Sequence, residues 1–340
     1  MLKSLNEPGR EIPIRAETEV LVAGAGMAGV SAALAAARHG KKVMLVEREF
    51  ALGGMATLGL ITIYLPLCDG MGHQLVFGQG EELLRLSIKY GYEGKYPAAW
   101  LDGGSEEERK SQRFMVQFNP QLFALTLEEL LLSAGVDILY GTVVTDTVVE
   151  DGFIKAVVVE NKSGRTAIAV ESVIDCTGDA DICHYSGAPT VLNETGNGLA
   201  SWYYYYDGSE VRLKMFGLAD VVPDRKDSAD ANGNSPFTAE KTACLDQSFR
   251  FSGVDGYELS RAVLTAHRKM FDDILAQKET NPAFVPVTMS TIPLVRMSRR
   301  IAGLYTMEES DDHVRLPDSV GMTVFCFKQK PAYEIPFGAL

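Results

Sequence analysis

The sequence has 340 residues, a formal net charge of −13, 46% hydrophobic residues and 23% charged residues. This length allows a large core and two subdomains, and the composition is that of an ordinary globular enzyme. The acidic balance, without any basic cluster, argues against nucleic acid and anionic membranes as partners.

Residues 1–18 form a polar lead-in without the apolar stretch of a signal peptide, and no run in the chain approaches the roughly 18 apolar residues of a membrane span. The apolar run at 20–23 then predicts a buried parallel strand. Three glycines in G-x-G-x-x-G spacing follow. A helix is predicted over 27–39, and a second strand over 43–46. The stretch 19–47 therefore has the pattern of a dinucleotide-binding strand–helix–strand unit.

Each of the three glycines in this unit has its own structural role. Gly24 lets the chain turn tightly, Gly26 lets a pyrophosphate approach the backbone, and Gly29 lets the helix lie close to the sheet. The helix N-terminus adds free N–H groups and a positive dipole end. Glu47 follows Gly24 by 23 positions, near the roughly 20 expected for a carboxylate that holds a ribose hydroxyl. A glycine-rich turn that binds no nucleotide is the alternative. The predicted pyrophosphate contacts are Gly24, Gly26, Met27, Ala28 and Gly29.

The loop at 48–73 indicates which dinucleotide is bound. It contains LGGMAT at 52–57, and here the sequence resembles the FAD-dependent oxidoreductases of the glutathione-reductase structural type. In those proteins a Gly-Gly pair soon after the second strand passes beside the flavin pyrophosphate. The resemblance implies FAD as the cofactor, with contacts from Arg48, Gly53, Gly54, Met55 and Thr57.

A closer resemblance is to the flavoprotein family grouped with the flavin-binding part of the heterodisulfide reductases. Its pattern is matched at 9–14 (GREIPI), 24–47, 53–57 (GGMAT), 175–181 (DCTGDAD) and 296–305 (RMSRRIAGLY). This resemblance spans nearly the whole chain. It implies an α/β fold with an FAD/NAD(P)-binding, Rossmann-like three-layer domain.

Helical spacing predicts helices over 81–90 and 121–134, and a strand over 136–140. Alternating segments at 142–149, 153–160 and 166–170 predict a β-meander, where glutathione-reductase-like flavoproteins carry an inserted sheet. Family position implies that Val144 or Val143 presents backbone groups to the adenine. An ordinary strand residue is the alternative.

A buried strand predicted over 172–176 ends at Thr177, Gly178 and Asp179. Ligands bind at the carboxyl ends of such strands, and the resembled family uses this turn near the flavin. These three residues are therefore predicted cofactor contacts. The alternative is an ordinary strand-to-helix turn with Asp179 as the N-cap.

Residues 190–286 differ in character, with the aromatic run 202–206 and a helix predicted over 258–277. No second G-x-G-x-x-G is present, so a separate nicotinamide domain is not predicted. The predicted organisation is an FAD-binding domain at 1–189 with the meander at 142–170, an α+β substrate or cap domain at 190–290, and a return to the FAD-binding domain at 291–340.

Two groups of residues are candidates for catalysis. Arg296, Arg299 and Arg300 repel one another unless an anion faces them, so Arg296 and Arg299 are predicted to hold an anionic substrate. Surface arginines are the alternative. His73, in the glycine-rich loop, is a candidate general base, and a structural or exposed histidine is the alternative.

The five cysteines are Cys68, Cys176, Cys183, Cys244 and Cys326, and they form no C-x-x-C pair. This spacing predicts free thiols in a reducing cytoplasm. It offers neither a redox-active disulfide nor ligands for an iron–sulfur cluster, and no metal site is predicted.

The predicted function is an FAD-dependent oxidoreductase that transfers a hydride between flavin N5 and a small, anionic organic substrate. Two alternatives stay open. One is a non-catalytic electron-transfer subunit that works with a redox partner protein, and the other is an NAD-dependent dehydrogenase.

The end of the sequence, YEIPFGAL at 333–340, resembles a family segment that leads into a further strand and helix. The resemblance implies that the chain is a fragment of a longer protein.

Overall fold

The computed structural model describes residues 9–93, 96–216, 240–243 and 249–303. The chain divides into two units: residues up to Leu52 with Leu130–Thr190, and Gly53–Glu129 with the residues from Val191 onward. This division differs from the predicted one. Residues 53–129 and 291–303, both expected in the FAD-binding domain, group with the second unit. The terminal segment at 333–340 lies outside the described residues.

The described elements form a mixed α/β chain. In order they are β1 (Ile14–Ala23), α1 (Met27–Arg38), β2 (Val43–Val46), a 3-10 helix (Gly54–Ala56), β3 (Ile63–Tyr64), α2 (Gln79–Ser87), α3 (Ala98–Leu101), α4 (Glu106–Ser111), β4 (Val116–Gln117), α5 (Pro120–Ser133), β5 (Asp137–Leu139), β6 (Val143–Glu150), β7 (Phe153–Asn161), β8 (Gly164–Asp175), α6 (Asp181–Tyr185), β9 (Thr190–Leu192), β10 (Ser201–Tyr206), β11 (Val211–Phe216), β12 (Glu240–Ala243), α7 (Gly256–Thr280), β13 (Val285–Met289) and β14 (Arg299–Ile301).

The first unit is built on a six-stranded sheet in the order β5-β2-β1-β8-β7-β6. Strands β5, β2, β1 and β8 pair in parallel, whereas β7 and β6 pair antiparallel. Helix α1 contacts β1 and β2 and buries Gly29, Val30, Ala33 and Leu34. The predicted α/β fold with a strand–helix–strand unit is therefore confirmed.

Strand β8 corrects one detail of the prediction. The segments predicted as two strands, 166–170 and 172–176, form one strand of 12 residues that pairs with β7 on one side and with β1 on the other. The three-stranded meander is present, but it continues the parallel sheet. β1 also begins at Ile14, before the predicted run, because the inward positions Ala16 and Thr18 are too weakly apolar to signal a strand.

The second unit contains a four-stranded sheet in the order β12-β11-β10-β13. Both faces of β10 are covered. Tyr203 and Tyr205 pack in one cluster with Ala262 and Ala266 of α7, whereas Trp202 and Tyr204 pack in another. The side chains of this aromatic run therefore alternate between the two faces of the sheet.

A partly buried ion pair joins this sheet to α7. The Lys214 Nζ donates to Asp273 Oδ1 at 2.9 Å, and the Tyr203 hydroxyl donates to Asp273 Oδ2 at 2.6 Å. Tyr203 and Lys214 are cross-strand partners, so both reach the same helix residue from one face of the sheet.

Among the helices that the structure describes, none has the length and apolar composition needed to cross a bilayer.

Candidate nucleotide-binding site

The turn after β1 is shaped by two glycines. Gly24 has φ +92°, and a Cβ there would collide with the Cys176 carbonyl oxygen. A Cβ at Gly29 would collide with the Gly24 carbonyl oxygen. The tight turn and the close approach of α1 to the strand therefore both require glycine.

Gly26 is different, because no contact among the described residues requires it to be a glycine. Its φ is −63°, which any residue adopts, and a Cβ there would meet no atom within 4 Å. It is the N-cap of a 12-residue helix that has no side-chain cap and no acidic residue in its first turn. Open space in front of bare helix N–H groups fits a pyrophosphate. Gly26, Met27, Ala28 and Gly29 lie at the start of α1, and their contact with a pyrophosphate stays a prediction.

Glu47 is buried, with 8% of its surface exposed. Its Oε2 accepts a hydrogen bond from the Ala25 N–H at 2.6 Å, and its Oε1 accepts one from the Glu49 N–H at 2.9 Å. The carboxylate therefore ties the end of β2 to the glycine turn, a role that the sequence analysis did not predict. An ionised carboxyl has about four lone-pair sites, so capacity for a ribose hydroxyl is left, and that contact stays a prediction.

We expect Glu47→Ala to weaken FAD binding by roughly 1.5–3 kcal/mol, the scale of a hydrogen bond to a charged group. Because the Ala25 N–H would also lose its acceptor, the apoprotein should melt at a lower temperature. Calorimetric titration of apoprotein with FAD and thermal unfolding separate the two effects. Glu49→Ala is the matched control, since that side chain is 40% exposed and lies 3.7 Å from Arg48. Unchanged FAD affinity in Glu47→Ala would show that Glu47 only supports the turn.

The turn after β8 lies beside the glycine turn. Ala23 and Asp175 are register partners, and the Cys176 N–H donates to the Ala23 carbonyl at 2.8 Å. Burial raises the pKa of the Cys176 thiol, which keeps this thiol protonated and unreactive. The carboxyl ends of β1, β2 and β8 thus share one edge of the sheet, as expected for a ligand site.

Asp175 and Thr177 organise that turn. Asp175 Oδ1 accepts from the Thr177 hydroxyl at 2.7 Å, and the Thr177 Oγ1 accepts from the Asp181 N–H at 3.0 Å. Helix α6 has Ala180 as its N-cap, so Asp179 is not the N-cap that the alternative interpretation expected. Cofactor contact by Thr177, Gly178 and Asp179 stays a prediction. The D-x-T spacing is the sequence signal that could have revealed Asp175.

The start of β6 lies against the end of β2. The Thr142 N–H donates to the Glu47 carbonyl at 2.9 Å, and the half-buried Val144 pairs with Val159 of β7 two residues later. Val144 therefore follows by two residues the backbone contact between Thr142 and Glu47. Its contact with the adenine stays a prediction. In the same unit the Arg48 side chain is 54% exposed.

Gly53, Gly54, Met55 and Thr57 belong to the second unit. Gly53 has φ +99°, and a Cβ there would lie 2.8 Å from the Thr57 Oγ1. Thr57 is 4% exposed, and its buried side chain packs against the backbone of Gly53. Met55 packs against the cluster that contains Trp202 and Tyr204. Flavin contact by these residues stays a prediction.

His73 lies in an exposed turn of the second unit. Its Nδ1 is 2.8 Å from Asp69 Oδ2, and the imidazole is 65% exposed. The Asp69 carboxylate also accepts the backbone N–H groups of Met71 and His73. These hydrogen bonds stabilise an exposed turn, and a general-base role for His73 stays a prediction.

The arginine segment is held by a buried amide. Asn197 is 3% exposed, and its Oδ1 accepts from the N–H groups of Arg296 at 3.0 Å and Met297 at 2.9 Å. Arg299 and Arg300 are consecutive on β14 and so face opposite sides. The strand therefore cannot present both guanidinium groups to one ligand. The sequence analysis missed Asn197, because a lone asparagine among small residues carries no periodic signal.

A second buried polar group was also missed. The Tyr204 hydroxyl is 2.7 Å from Thr62 Oγ1 and donates to Glu93 Oε2 at 2.9 Å, while Glu93 Oε1 accepts from Asn119 at 2.7 Å. Glu93 as a residue is exposed, but its carboxyl end points inward. Burial raises the pKa of Glu93 and, together with the Glu93 charge, raises the pKa of Tyr204.

The chain was compared with known proteins. A family model described as FAD dependent oxidoreductase matches residues 19–283. The thioredoxin reductase of Ureaplasma parvum serovar 3 is 33% identical over 75 residues, which are 22% of this chain and 24% of that protein. The chain thus spans about a quarter of the length of this curated relative.

Solved structures resemble the chain more distantly. CabE, an aromatic hydroxylase from angucycline biosynthesis, is 17% identical with a TM-score of 0.43, over 86% of this chain and 55% of that one. THI4 of Thermovibrio ammonificans is 20% identical with a TM-score of 0.36, over 53% of this chain and 66% of that one.

Proposed function

The chain belongs to the FAD-dependent oxidoreductase family, and on that premise we propose that it binds FAD at its dinucleotide unit and exchanges a hydride between flavin N5 and a small organic substrate. When bound, FAD supplies the redox chemistry, whereas the protein binds and orients the reactants. The observation that carries the proposal is the open space at Gly26, in front of the uncapped N-terminus of α1.

In this proposal each residue has a distinct role. The N–H groups at the start of α1 bind the pyrophosphate, and Glu47 accepts a hydroxyl of the adenosine ribose while holding the glycine turn. Thr177 keeps the neighbouring turn in place through its hydrogen bonds to Asp175 and Asp181.

Two other functions make different predictions. A non-catalytic electron-transfer subunit would bind FAD and show no turnover by itself, whereas an NAD-dependent dehydrogenase would purify without flavin. Steady-state turnover of the isolated chain, with any small acid or alcohol as electron donor, distinguishes the first alternative from an enzyme.

We expect FAD to be released when the purified protein is denatured, because the site is built for a pyrophosphate and the family is FAD-dependent. The released compound is identified by chromatography against FAD, FMN and NAD standards. The native protein should show the absorption of bound flavin and bleach under an anaerobic reductant. Recovery of NAD, or of FMN alone, would contradict the proposal.

We expect Arg296→Lys to raise KM for an anionic substrate with little change in kcat, since lysine loses the bidentate fork of arginine. The backbone of Arg296 is fixed by Asn197, so the substitution changes only the end of the side chain. Arg300→Lys is the control, because Arg300 lies on the exposed side of β14. Wild-type kinetics in Arg296→Lys would assign this arginine to the surface.

A further inference from the structure

Helix α7 is apolar on both of its sides. Its inner side buries Ala262, Ala266 and Met270 in the cluster that contains the tyrosines of β10. Its outer side carries four large apolar residues, which are exposed by 91%, 69%, 52% and 45%: Tyr257, Leu264, Phe271 and Leu275. A helix at the surface of a globular protein normally has charged and polar residues on its outer face, so a second apolar face indicates a further contact.

The four exposed residues form one continuous row, which we call the outer stripe of α7. Tyr257, Leu264 and Phe271 follow one another at intervals of seven residues, and Leu275 comes four residues after Phe271. Residues at these intervals lie on the same face of a helix. The outer stripe therefore runs along most of this 25-residue helix, and its shape suits a second helix.

Charged residues on one flank of the outer stripe change sign along the helix. Arg261 and Arg268 lie in its first part, and Asp272 and Glu279 lie in its second part. At about 100° per residue, all four project to the same side of the stripe. The flank therefore has a basic end towards the helix N-terminus and an acidic end towards the C-terminus.

The charges at the middle of this flank can change partners at little cost. The Arg268 Nε lies 3.4 Å from Asp272 Oδ1 within the helix, and both side chains are more than half exposed. An exposed ion pair of this kind is worth little, because water solvates both groups. Arg261 is also exposed, and its guanidinium lies 5.5 Å from the centre of the Phe249 ring.

An antiparallel pair of α7 helices matches these charges in a single register. With a twofold axis beside Met270, each residue faces the one that lies equally far on the other side of that position. Arg268 lies two residues before Met270, and Asp272 lies two residues after it. Arg261 lies nine residues before it, and Glu279 lies nine residues after it. Each arginine therefore faces an acidic residue of the second copy.

The same register aligns the apolar residues. Leu264 lies six residues before Met270 and Leu275 lies five residues after it, so the two leucines face each other with an offset of one residue, or about 1.5 Å along the axis. Phe271 is next to Met270 and faces its own copy at the axis. A parallel pair would instead place each charge beside the same charge, which is repulsive.

We propose that the outer stripe of α7 binds a second copy of this chain, as an antiparallel pair of α7 helices with its twofold axis near Phe271. The contact has an apolar centre, formed by Leu264, Phe271 and Leu275, and a charged rim, as protein interfaces generally have. The pairing needs neither cofactor nor substrate, so it is independent of the proposed function.

Sedimentation velocity of the full chain, as purified and over a series of concentrations, measures the monomer–dimer equilibrium. We expect the wild-type chain to dimerise, and Leu264→Glu to weaken dimerisation at least about tenfold, because each copy would bury an unpaired charge. Leu125→Glu is the matched control, since Leu125 lies on α5 and is 59% exposed. Both leucines are exposed, so circular dichroism should show both variants folded.

Charge reversal tests the direction of the pair. Asp272→Arg should weaken dimerisation at least about fivefold, because an antiparallel pair would place the new arginine beside Arg268 of the second copy, twice per dimer. Arg268→Asp/Asp272→Arg should restore the wild-type affinity. In a parallel pair both variants would leave like charges side by side, as in the wild-type chain, and affinity would not change.

A chain that stays monomeric at about 0.1 mM, where even micromolar affinity would populate the dimer, would overturn the proposal. A dimer that Leu264→Glu leaves intact would also overturn it, because the contact would then lie elsewhere on the surface. A dimer weakened by Leu264→Glu but unaffected by Asp272→Arg would overturn the antiparallel arrangement.

Discussion

Gly26→Val should weaken FAD binding at least about 100-fold, or about 2.8 kcal/mol at 1.4 kcal/mol per tenfold, and leave the apoprotein folded. The backbone at Gly26 has φ −63°, which valine tolerates, and a Cβ there meets no protein atom within 4 Å. The added side chain would occupy the space through which a pyrophosphate reaches the helix N–H groups. We therefore expect a substitution at this position to affect FAD binding without affecting folding.

The measurement pairs calorimetric titration with FAD and thermal unfolding of the apoprotein. Gly256→Val is the matched control, because Gly256 also begins a helix and a Cβ there also meets no atom within 4 Å. Gly29→Val should behave in the opposite way and destabilise the apoprotein, since its side chain would collide with the Gly24 carbonyl. Normal FAD affinity in Gly26→Val would show that the pyrophosphate does not bind at the start of α1.

The strand–helix–strand unit could be predicted from the sequence because local signals agree there. The apolar run before Gly24, the glycine spacing and the acid at Glu47 all specify the same backbone path. The structure places α1 at Met27–Arg38 and β2 at Val43–Val46, within one residue of the predictions. Gly40 has φ +77°, as a glycine after a helix C-terminus should.

Features that depend on distant parts of the chain could not be predicted in this way. Strand β8 is continuous because it pairs with two different strands, β1 and β7. The local sequence of β8 does not indicate both pairings. The grouping of 53–129 with the second unit is likewise a matter of contacts between distant segments. Glu47 was identified from its position alone, and its hydrogen bond to the Ala25 N–H became visible only in the folded chain.

Buried polar side chains are the second kind of feature that could not be predicted from the sequence. Asn197, Thr62 and Ser290 look like ordinary loop or strand residues, yet each is at most 5% exposed. Their partners lie far away along the chain, as with Asn197 and Met297, joined at 2.7 Å. Such contacts fix where the arginine segment lies, so this part of the candidate site needed the structure.

The partly buried ion pair between β11 and α7 should contribute to the stability of the second unit. The Lys214 and Asp273 side chains are 8% and 19% exposed, and Asp273 also accepts from the Tyr203 hydroxyl at 2.6 Å. Asp273→Ala takes this contact from the Lys214 charge, and loss of one partner of a buried pair costs up to about 3–5 kcal/mol. We therefore expect Asp273→Ala to lower the free energy of unfolding by that amount.

Denaturant unfolding of the apoprotein, followed by tryptophan fluorescence, measures this loss, because both tryptophans, Trp100 and Trp202, belong to the second unit. Asp272→Ala is the control one residue earlier. Its carboxylate is 58% exposed and lies 3.4 Å from Arg268, so it should change stability by less than about 1 kcal/mol.

Replacing both charges should restore much of the loss. Lys214→Met with Asp273→Leu keeps similar volumes without a charge to compensate, and such exchanges are often neutral or stabilising by about 1–4 kcal/mol. The Tyr203 hydroxyl would still lose its acceptor, so recovery should be incomplete, short by about 1–3 kcal/mol. If Asp273→Ala matched Asp272→Ala, the Lys214–Asp273 pair would contribute no more to stability than an exposed ion pair. If the double variant were no more stable than Asp273→Ala, the hydrogen bond from Tyr203, and not the charge, would hold α7 against the sheet.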